Sequence, residues 1–309
     1  MKLEIIEQPT RTFWQEVAER SPLATLYHAP LWAESLVSVF SHHEIGTVGF
    51  TFADGTCAVF PLLRSRHGLF RRRYRYKSFG FGSYGGPIYT GSWDDAKTEA
   101  VFSYFQRRRE SLHFDGNPLW QHPLPPYLVQ QQTETLVLHL DQPLEELFRR
   151  FSASHRRGIA TAQKKGVTVR RSAGGDDLEA YTALYADTLK RWGDRTIVEF
   201  PATLTRQLLE TDPEHVVLWL AEVEGTPVAG IIMMYWNKVA HYWRGASRQG
   251  YESTHANTLL QWQVIQDAHA RQFLLYDFAP SGPLAGVEEF KRRFGAEKII
   301  FTRGHLKSY

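Results

Sequence analysis

Few residues of this 309-residue chain are both chemically capable and given a direction by the pattern around them. Asp277 sits near the end of an apolar run, residues 274–278, between Tyr276 and Phe278. If that run is a strand, alternation turns the carboxylate to the face opposite both rings. A carboxylate there can orient or deprotonate an amine. It can equally cap a helix or close a structural ion pair. Tyr242 and Arg244 stand two apart in the run 239–246, so a regular strand puts them on one face. They read as ligand contacts or, alternatively, as a core tyrosine and a cross-strand ion pair. Lys291, Arg292 and Arg293 form a cationic triplet after Phe290. A cation of this kind can hold a phosphate or steady developing negative charge; the plainer reading is a solvated helix surface. Trp192 and Arg195 follow a helical pattern, where an aromatic can cover a substrate or simply pack.

Other chemistries are excluded. Cys57 is the sole cysteine, so no disulfide can form within the chain and no cysteine metal site exists. It falls in an apolar strand pattern, and no Gly-x-Ser-x-Gly nucleophile elbow is present. His42, His43, His113 and His122 lack metal-ligand spacing, so no metal is expected. Net charge is +3, unevenly spread. One basic cluster holds Arg64, Arg66, Arg71, Arg72, Arg73, Arg75 and Lys77; another runs from Arg149 to Arg171 and includes Arg156, Arg157, Lys164 and Lys165. Both suit a phosphate-bearing partner, or a solvated surface without one. The N-terminal MKLEIIEQPT lacks a signal-peptide core, and no apolar run is long enough for a spanning helix. With the lone cysteine, this gives the expectation of a soluble cytoplasmic protein.

The elements that must position these residues follow from periodicity. Residues 10–40 read as helical. Apolar runs 45–52 and 56–63 flank Asp54-Gly55, a hairpin signal. A basic loop and a Gly/aromatic stretch, 79–89, come next, then a helix over 94–109 and an irregular segment over 116–132. A strand at 135–140 leads to helical patterning over 144–165, ended by Gly166, and a strand at 167–171. Helices over 177–192 and 201–210 precede a hairpin, 216–223 and 227–236, a strand at 239–246 and a helix over 254–271. The strand 274–278, a helix over 286–293 and a strand at 297–303 close the chain. The fold class is α+β with a mixed, largely antiparallel sheet flanked by helices. The first half runs a similar course, which gives two domains, 1–140 and 141–309; the final strand is also able to pair with the first domain's sheet.

Residues 241–297 resemble the C-terminal signature of the FemABX family. The matching pieces are Gly245-Ala246-Ser247, the helix run Leu259-Leu260-Gln261-Trp262, Tyr276-Asp277-Phe278, Phe290-Lys291 and Phe294-Gly295. The HRRGIATAQKKGVTV run and Ser83-Tyr84-Gly85-Gly86-Pro87 are similar as well. The resemblance spans nearly the whole chain, strongest after 215 and weaker before 140.

It implies tandem GNAT-like domains and transfer of an aminoacyl group from aminoacyl-tRNA to an amine, on a peptide, a cell-wall precursor or a small molecule. No bound cofactor is implied; aminoacyl-tRNA or acyl-CoA is a co-substrate. By the same resemblance Lys291 becomes a catalytic candidate; Asp277, from its place at a strand end, is the other. Tyr242, Arg244, Tyr276, Phe290, Arg292, Arg293, Tyr84 and Trp192 become substrate-binding candidates, with Tyr242 and Arg244 near the donor. Two departures stand out. Ala279-Pro280-Ser281-Gly282 replaces the family's glycine pair, and no charged coiled-coil arm is inserted. The turn Arg248-Gln249-Gly250-Tyr251-Glu252-Ser253 holds one glycine where CoA-using GNAT enzymes carry a glycine-rich pyrophosphate cradle. Acyl-CoA enzyme and non-catalytic binder of tRNA or precursor remain the alternatives.

Overall fold

The computed structural model describes residues 2–67, 73–78, 83–193 and 200–307. Arg71, Arg72, Arg195 and residues 79–82 of the Gly/aromatic stretch lie outside them. The chain forms two compact units. One holds the residues up to Glu134 and those from Ile300 onward; the other is Thr135–Ile299.

The first unit begins with a strand that the sequence reading missed, β1 (Leu3–Ile6), then α1 (Arg11–Arg20), α2 (Pro30–Val39) and the short β2 (Glu44–Ile45). The Asp54-Gly55 turn joins β3 (Val48–Phe52) to β4 (Cys57–Phe60), with Gly55 at φ +83° as such a turn requires. The expected basic loop is instead a hairpin, β5 (Leu63–His67) and β6 (Arg73–Lys77). Its charges alternate with Leu63, Tyr74 and Tyr76, so a period-2 strand can bury the apolar members and solvate the rest. The strand β7 (Ile88–Thr90), the helix α3 (Asp95–Arg108), capped by the Asp94 side chain, and β8 (Ser111–Phe114) follow. The strand β9 (Val129–His139) starts earlier than expected.

The second unit continues with α4 (Leu144–Arg150), α5 (Ala153–Lys164), β10 (Thr168–Arg171), α6 (Asp176–Trp192) and α7 (Ala202–Thr211). Then come β11 (Val216–Val223), β12 (Thr226–Trp236), β13 (Val239–Ser247), α8 (Ala256–Ala270), β14 (Leu275–Asp277) and α9 (Ala285–Arg292). The strand order is β10-β11-β12-β13-β14-β9. Every pairing is antiparallel except β13 with β14. On one face lie Ile159 and Ala162 of α5 and Leu259, Leu260, Val264 and Ile265 of α8, packed on Val217, Ile231, Met233 and Tyr276. On the other, Tyr181 of α6 packs so closely on Gly230 that an added Cβ would stand 2.7 Å from its ring. The chain ends in β15 (Glu297–Leu306), whose last residues pair with β8 of the first unit, Gly304 opposite Phe114 and Leu306 opposite Leu112.

The architecture is α+β, a mixed and largely antiparallel sheet flanked by helices. Among the described residues, no helix is long and apolar enough to cross a membrane. None of their His, Cys, Asp and Glu side chains group as three metal ligands.

Candidate active site

The geometry of β13 and β14 marks one place in the second unit. Their parallel ladder has three rungs, Val239–Leu275, Ala240–Tyr276 and His241–Asp277. There β14 ends, while β13 runs on to Ser247. The two strands therefore part after the third rung.

A bulge shapes β13 at the same point. Tyr242 pairs with Met233 and Arg244 with Ile232, which leaves Trp243 as an extra residue. The bulge turns Tyr242 and Arg244 to opposite faces, against the expectation from plain alternation. Tyr242 packs on the cluster that contains Met233 and α8. Arg244 is buried among Tyr185, Phe200 and Trp243, with its guanidinium 4.3 to 4.9 Å from the three ring centroids. The Tyr242 ring folds over Gly245, where a Cβ would fall 1.9 Å from its hydroxyl. Burial pushes that phenol well above its ordinary pKa, so it stays neutral and can donate a proton in a hydrogen bond.

Asp277 anchors the fork. Its Oδ1 accepts from Thr135 Oγ1 at 2.7 Å and from the Ala279 N–H at 2.9 Å; its Oδ2 lies 2.9 Å from His241 Nδ1. Tyr276 and Phe278 point the other way, into the core. The bond from Asp277 holds Ala279 at φ +60°, a conformation costly for alanine. That strained turn aims the carbonyls of Ala279 and Pro280 at Lys291, whose Nζ donates to them at 2.8 and 3.3 Å.

Lys291 is 3% exposed, although it lies on a short helix with charged neighbours. Burial, opposed by the Asp277 and Glu288 charges, lowers its pKa to about 7. Its Nζ sits 5.8 Å from the Tyr242 ring centroid. Near neutral pH the group therefore exists as both cation and amine. The cation has three donors, and two are given to backbone carbonyls.

The remaining candidates are distributed less tightly. Arg292 and Arg293 make exposed i,i+4 pairs with Glu288 and Glu289 at 3.5 and 2.9 Å. The Phe290 ring packs on His155 and Phe294, and its carbonyl is 3.0 Å from His155 Nε2. Burial lowers the His155 pKa to about 4, so the ring is neutral and donates Nε2–H to that carbonyl. Tyr276 is fully buried and donates to Gln261 Oε1 at 2.6 Å. Trp192 ends α6, half-buried. Tyr84 belongs to the first unit, buried edge-on to Tyr27 and Phe301. The structure thus brings Lys291, Asp277 and Tyr242 together. It adds His241 and Thr135, which the sequence did not single out. Only the parallel register of β13 on β14 places His241 beside Asp277, and no local pattern encodes it.

The turn from β13 into α8 completes the region. Glu252 Oε1 accepts from the Gly250 N–H at 3.2 Å; hydrogen bonds from its own backbone N–H and from Gly250 hold the carboxylate below its usual pKa. The Thr254 hydroxyl accepts from the first α8 amide, Ala256 N–H, at 3.3 Å. The His255 ring lies against α5, where a Cβ on Gly158 would stand 3.1 Å from its Nδ1.

The stretch of sequence that carries the parallel pair, the bulge and the buried helix after the bulged strand is matched by a family model. Residues 149–292 match the acetyltransferase (GNAT) domain family. The second unit carries a GNAT acyltransferase domain. This GNAT domain spans α5 to α9 and includes Tyr242, Asp277 and Lys291.

The whole chain has the fold of FemX, with a TM-score of 0.71 at 14% identity over 97% of this chain and 96% of that one. It is similar to the structure of L-PGS from Bacillus licheniformis, TM-score 0.58 at 11% identity, covering 97% of this chain and 93% of that one. A tandem GNAT protein of the clavulanic acid biosynthesis pathway gives 0.52 at 11% identity, over 98% and 97%. No curated protein sequence matches. At these identities the structural likenesses show a shared fold, that of tandem GNAT proteins.

Proposed function

We propose that the protein transfers an aminoacyl group from aminoacyl-tRNA to an amine acceptor, on a peptide, a cell-wall precursor or a small molecule. The observation that carries this choice of donor is Glu252. A CoA pyrophosphate needs the free backbone N–H groups of the turn that enters α8. Here that turn presents a carboxylate, hydrogen-bonded to one of those groups. Like charge at the cradle works against a pyrophosphate.

Aminoacyl transfer needs no covalent enzyme intermediate. The acceptor amine attacks the ester carbonyl, and the oxyanion of the tetrahedral intermediate is stabilised. The ester bond then breaks, and the proton lost by the amine nitrogen goes to the departing ribose hydroxyl. Lys291 is the catalytic residue of this reading, its third N–H donating to the oxyanion. Tyr242 lines the donor side. Asp277, bound to the Ala279 N–H, is a positioning residue that keeps the two carbonyls on Lys291. At 3% exposure Lys291 is closed off, so substrate must open a path to it. The cytoplasm, where aminoacyl-tRNA is made, is the compartment this reading requires.

One observation favours a second reading: the family match is to an acetyltransferase domain, which points to acyl-CoA. The test supplies purified protein with labelled aminoacyl-tRNA or labelled acetyl-CoA against one panel of amines. Transfer from tRNA alone supports the proposal. Transfer from acetyl-CoA alone overturns it. No transfer from either, with tRNA still bound, would leave a binding protein.

A further inference from the structure

The first unit holds a charged surface that the GNAT domain does not use. Its strands run in the order β15-β8-β6-β5-β2, with β9 on the other side of β15. One face of this sheet enters a core with Tyr76, Leu112, Phe114 and Leu306, beneath α3. By alternation, the residues between these point the other way. Across that face the register aligns His305 with His113 and His113 with Lys77; one step along, Arg75 aligns with Ser111. Arg303 of β15 and Lys307, just past its end, flank His305. Neighbouring strands lie about 5 Å apart and same-face residues about 7 Å apart along a strand. The result is a lattice of cationic and imidazole groups on a rigid sheet.

Acids on the two faces are distributed unequally. Asp115 shares the cationic face and is taken by Arg303 at 2.8 Å. Glu44 lies on the opposite face, where it pairs with Arg64 and Arg66. The histidines register the excess of positive charge. After burial, the largest influences lowering the His305 pKa are His113, Lys307 and Arg75. The His43 pKa is lowered to about 4, first by burial and then by Lys77 and His42.

We propose that Arg75, Lys77, His113, His305 and Lys307 form a binding face for the phosphate backbone of RNA, the tRNA of the donor. This rests on the aminoacyl-tRNA reading above. The charge is complementary to a polyanion, and fixed strand spacing presents several donors at once. A lipid surface fits less well, because membrane docking adds buried apolar side chains to charge. Leu63, the apolar residue facing this way beside Lys77, is fully buried in the protein.

The test titrates unacylated tRNA into the full-length protein between about 50 and 200 mM salt. It compares wild type with Arg75→Ala/Lys307→Ala and with Arg64→Ala/Arg66→Ala on the opposite face; thermal unfolding checks that each variant is folded. For Arg75→Ala/Lys307→Ala the salt slope is expected to fall by about 2 and affinity at low salt by about 10-fold or more. The opposite-face variant keeps wild-type values. Equal losses in both variants overturn the proposal, because net charge then explains the binding. Wild-type binding that the Arg75→Ala/Lys307→Ala variant retains overturns the surface and spares the donor reading. If wild type binds no tRNA, both fall. Binding to phosphatidylglycerol vesicles that is lost in the same variant, with tRNA affinity unchanged, overturns RNA in favour of a membrane.

Discussion

In the fork of β13 and β14 one lysine is almost wholly buried, held by two carbonyls and tuned to a pKa of about 7. On the sheet face of β6, β8 and β15 Arg75 and Lys307 stand exposed, one step along from His113. Both regions collect cations, yet they suit opposite tasks. Burial raises the worth of each electrostatic contact and makes the protonation state adjustable, which serves a reaction. Exposure keeps each charge permanent and individually weak, which serves a polyanion that touches many at once. Two residues beside Lys291 sharpen the point: Arg292, on the same helix, and Arg293, its C-cap, share its sign but face water.

The strongest way to break this contrast is at Asp277. Asp277→Ala leaves His241, Thr135 and the Ala279 N–H facing a void. Loss of one partner of a buried pair costs about 3–5 kcal/mol, measured as a lowered denaturation midpoint; a change below about 1 kcal/mol would show that the fork does not depend on it. Lys291→Met comes next. If its N–H meets the oxyanion, kcat falls by about 10²- to 10³-fold while KM and the unfolding midpoint change little. A loss of stability with kcat intact would make Lys291 a clamp on the 279–280 turn.

The pH dependence separates the two regions further. The folded pKa of Lys291, about 7, lies below its unfolded value of 10.5. Between these values the unfolded chain binds more protons, so stability rises with pH across that window. Lys291→Met should flatten that rise, whereas Lys307→Ala should leave it unchanged. If the cation is the working form, the rate for a pre-deprotonated acceptor falls as pH passes about 7. The smallest effect is expected at the surface of α9. Arg292→Ala and Arg293→Ala each remove an exposed ion pair and should shift stability by at most about 1 kcal/mol. A kcat loss near that of Lys291→Met in either would erase the distinction between buried and exposed cations.

Much of the fold could be read locally. Asp54-Gly55 dictated its hairpin, and the run from β13 to α9 fell within a few residues of its expected boundaries, because turn chemistry and periodicity act over short spans. The hairpin of β5 and β6 did not: its alternation was masked by the density of arginines. Tyr242 and Arg244 were placed on one face because period 2 assumes an unbroken ladder, and the extra residue Trp243 breaks it. Lys291 was recognisable by type and position, but its burial comes from Ala279, Pro280 and Tyr242, which only the tertiary fold brings near. The partnership of His241 and Asp277 was likewise beyond reach, since parallel register is set by the whole sheet.

The bulge at Trp243 has a consequence for how this sequence can change. Removing that one codon would join Tyr242 directly to Arg244, and every ladder partner of β13 on β12 would be kept. Each side chain would also keep its face. What would vanish is the bulge, together with the indole that lies under the Arg244 guanidinium and meets Phe200 edge-on. A chain one residue shorter at this point would therefore keep the hydrophobic pattern of β13 and lose one of the three aromatic walls around Arg244.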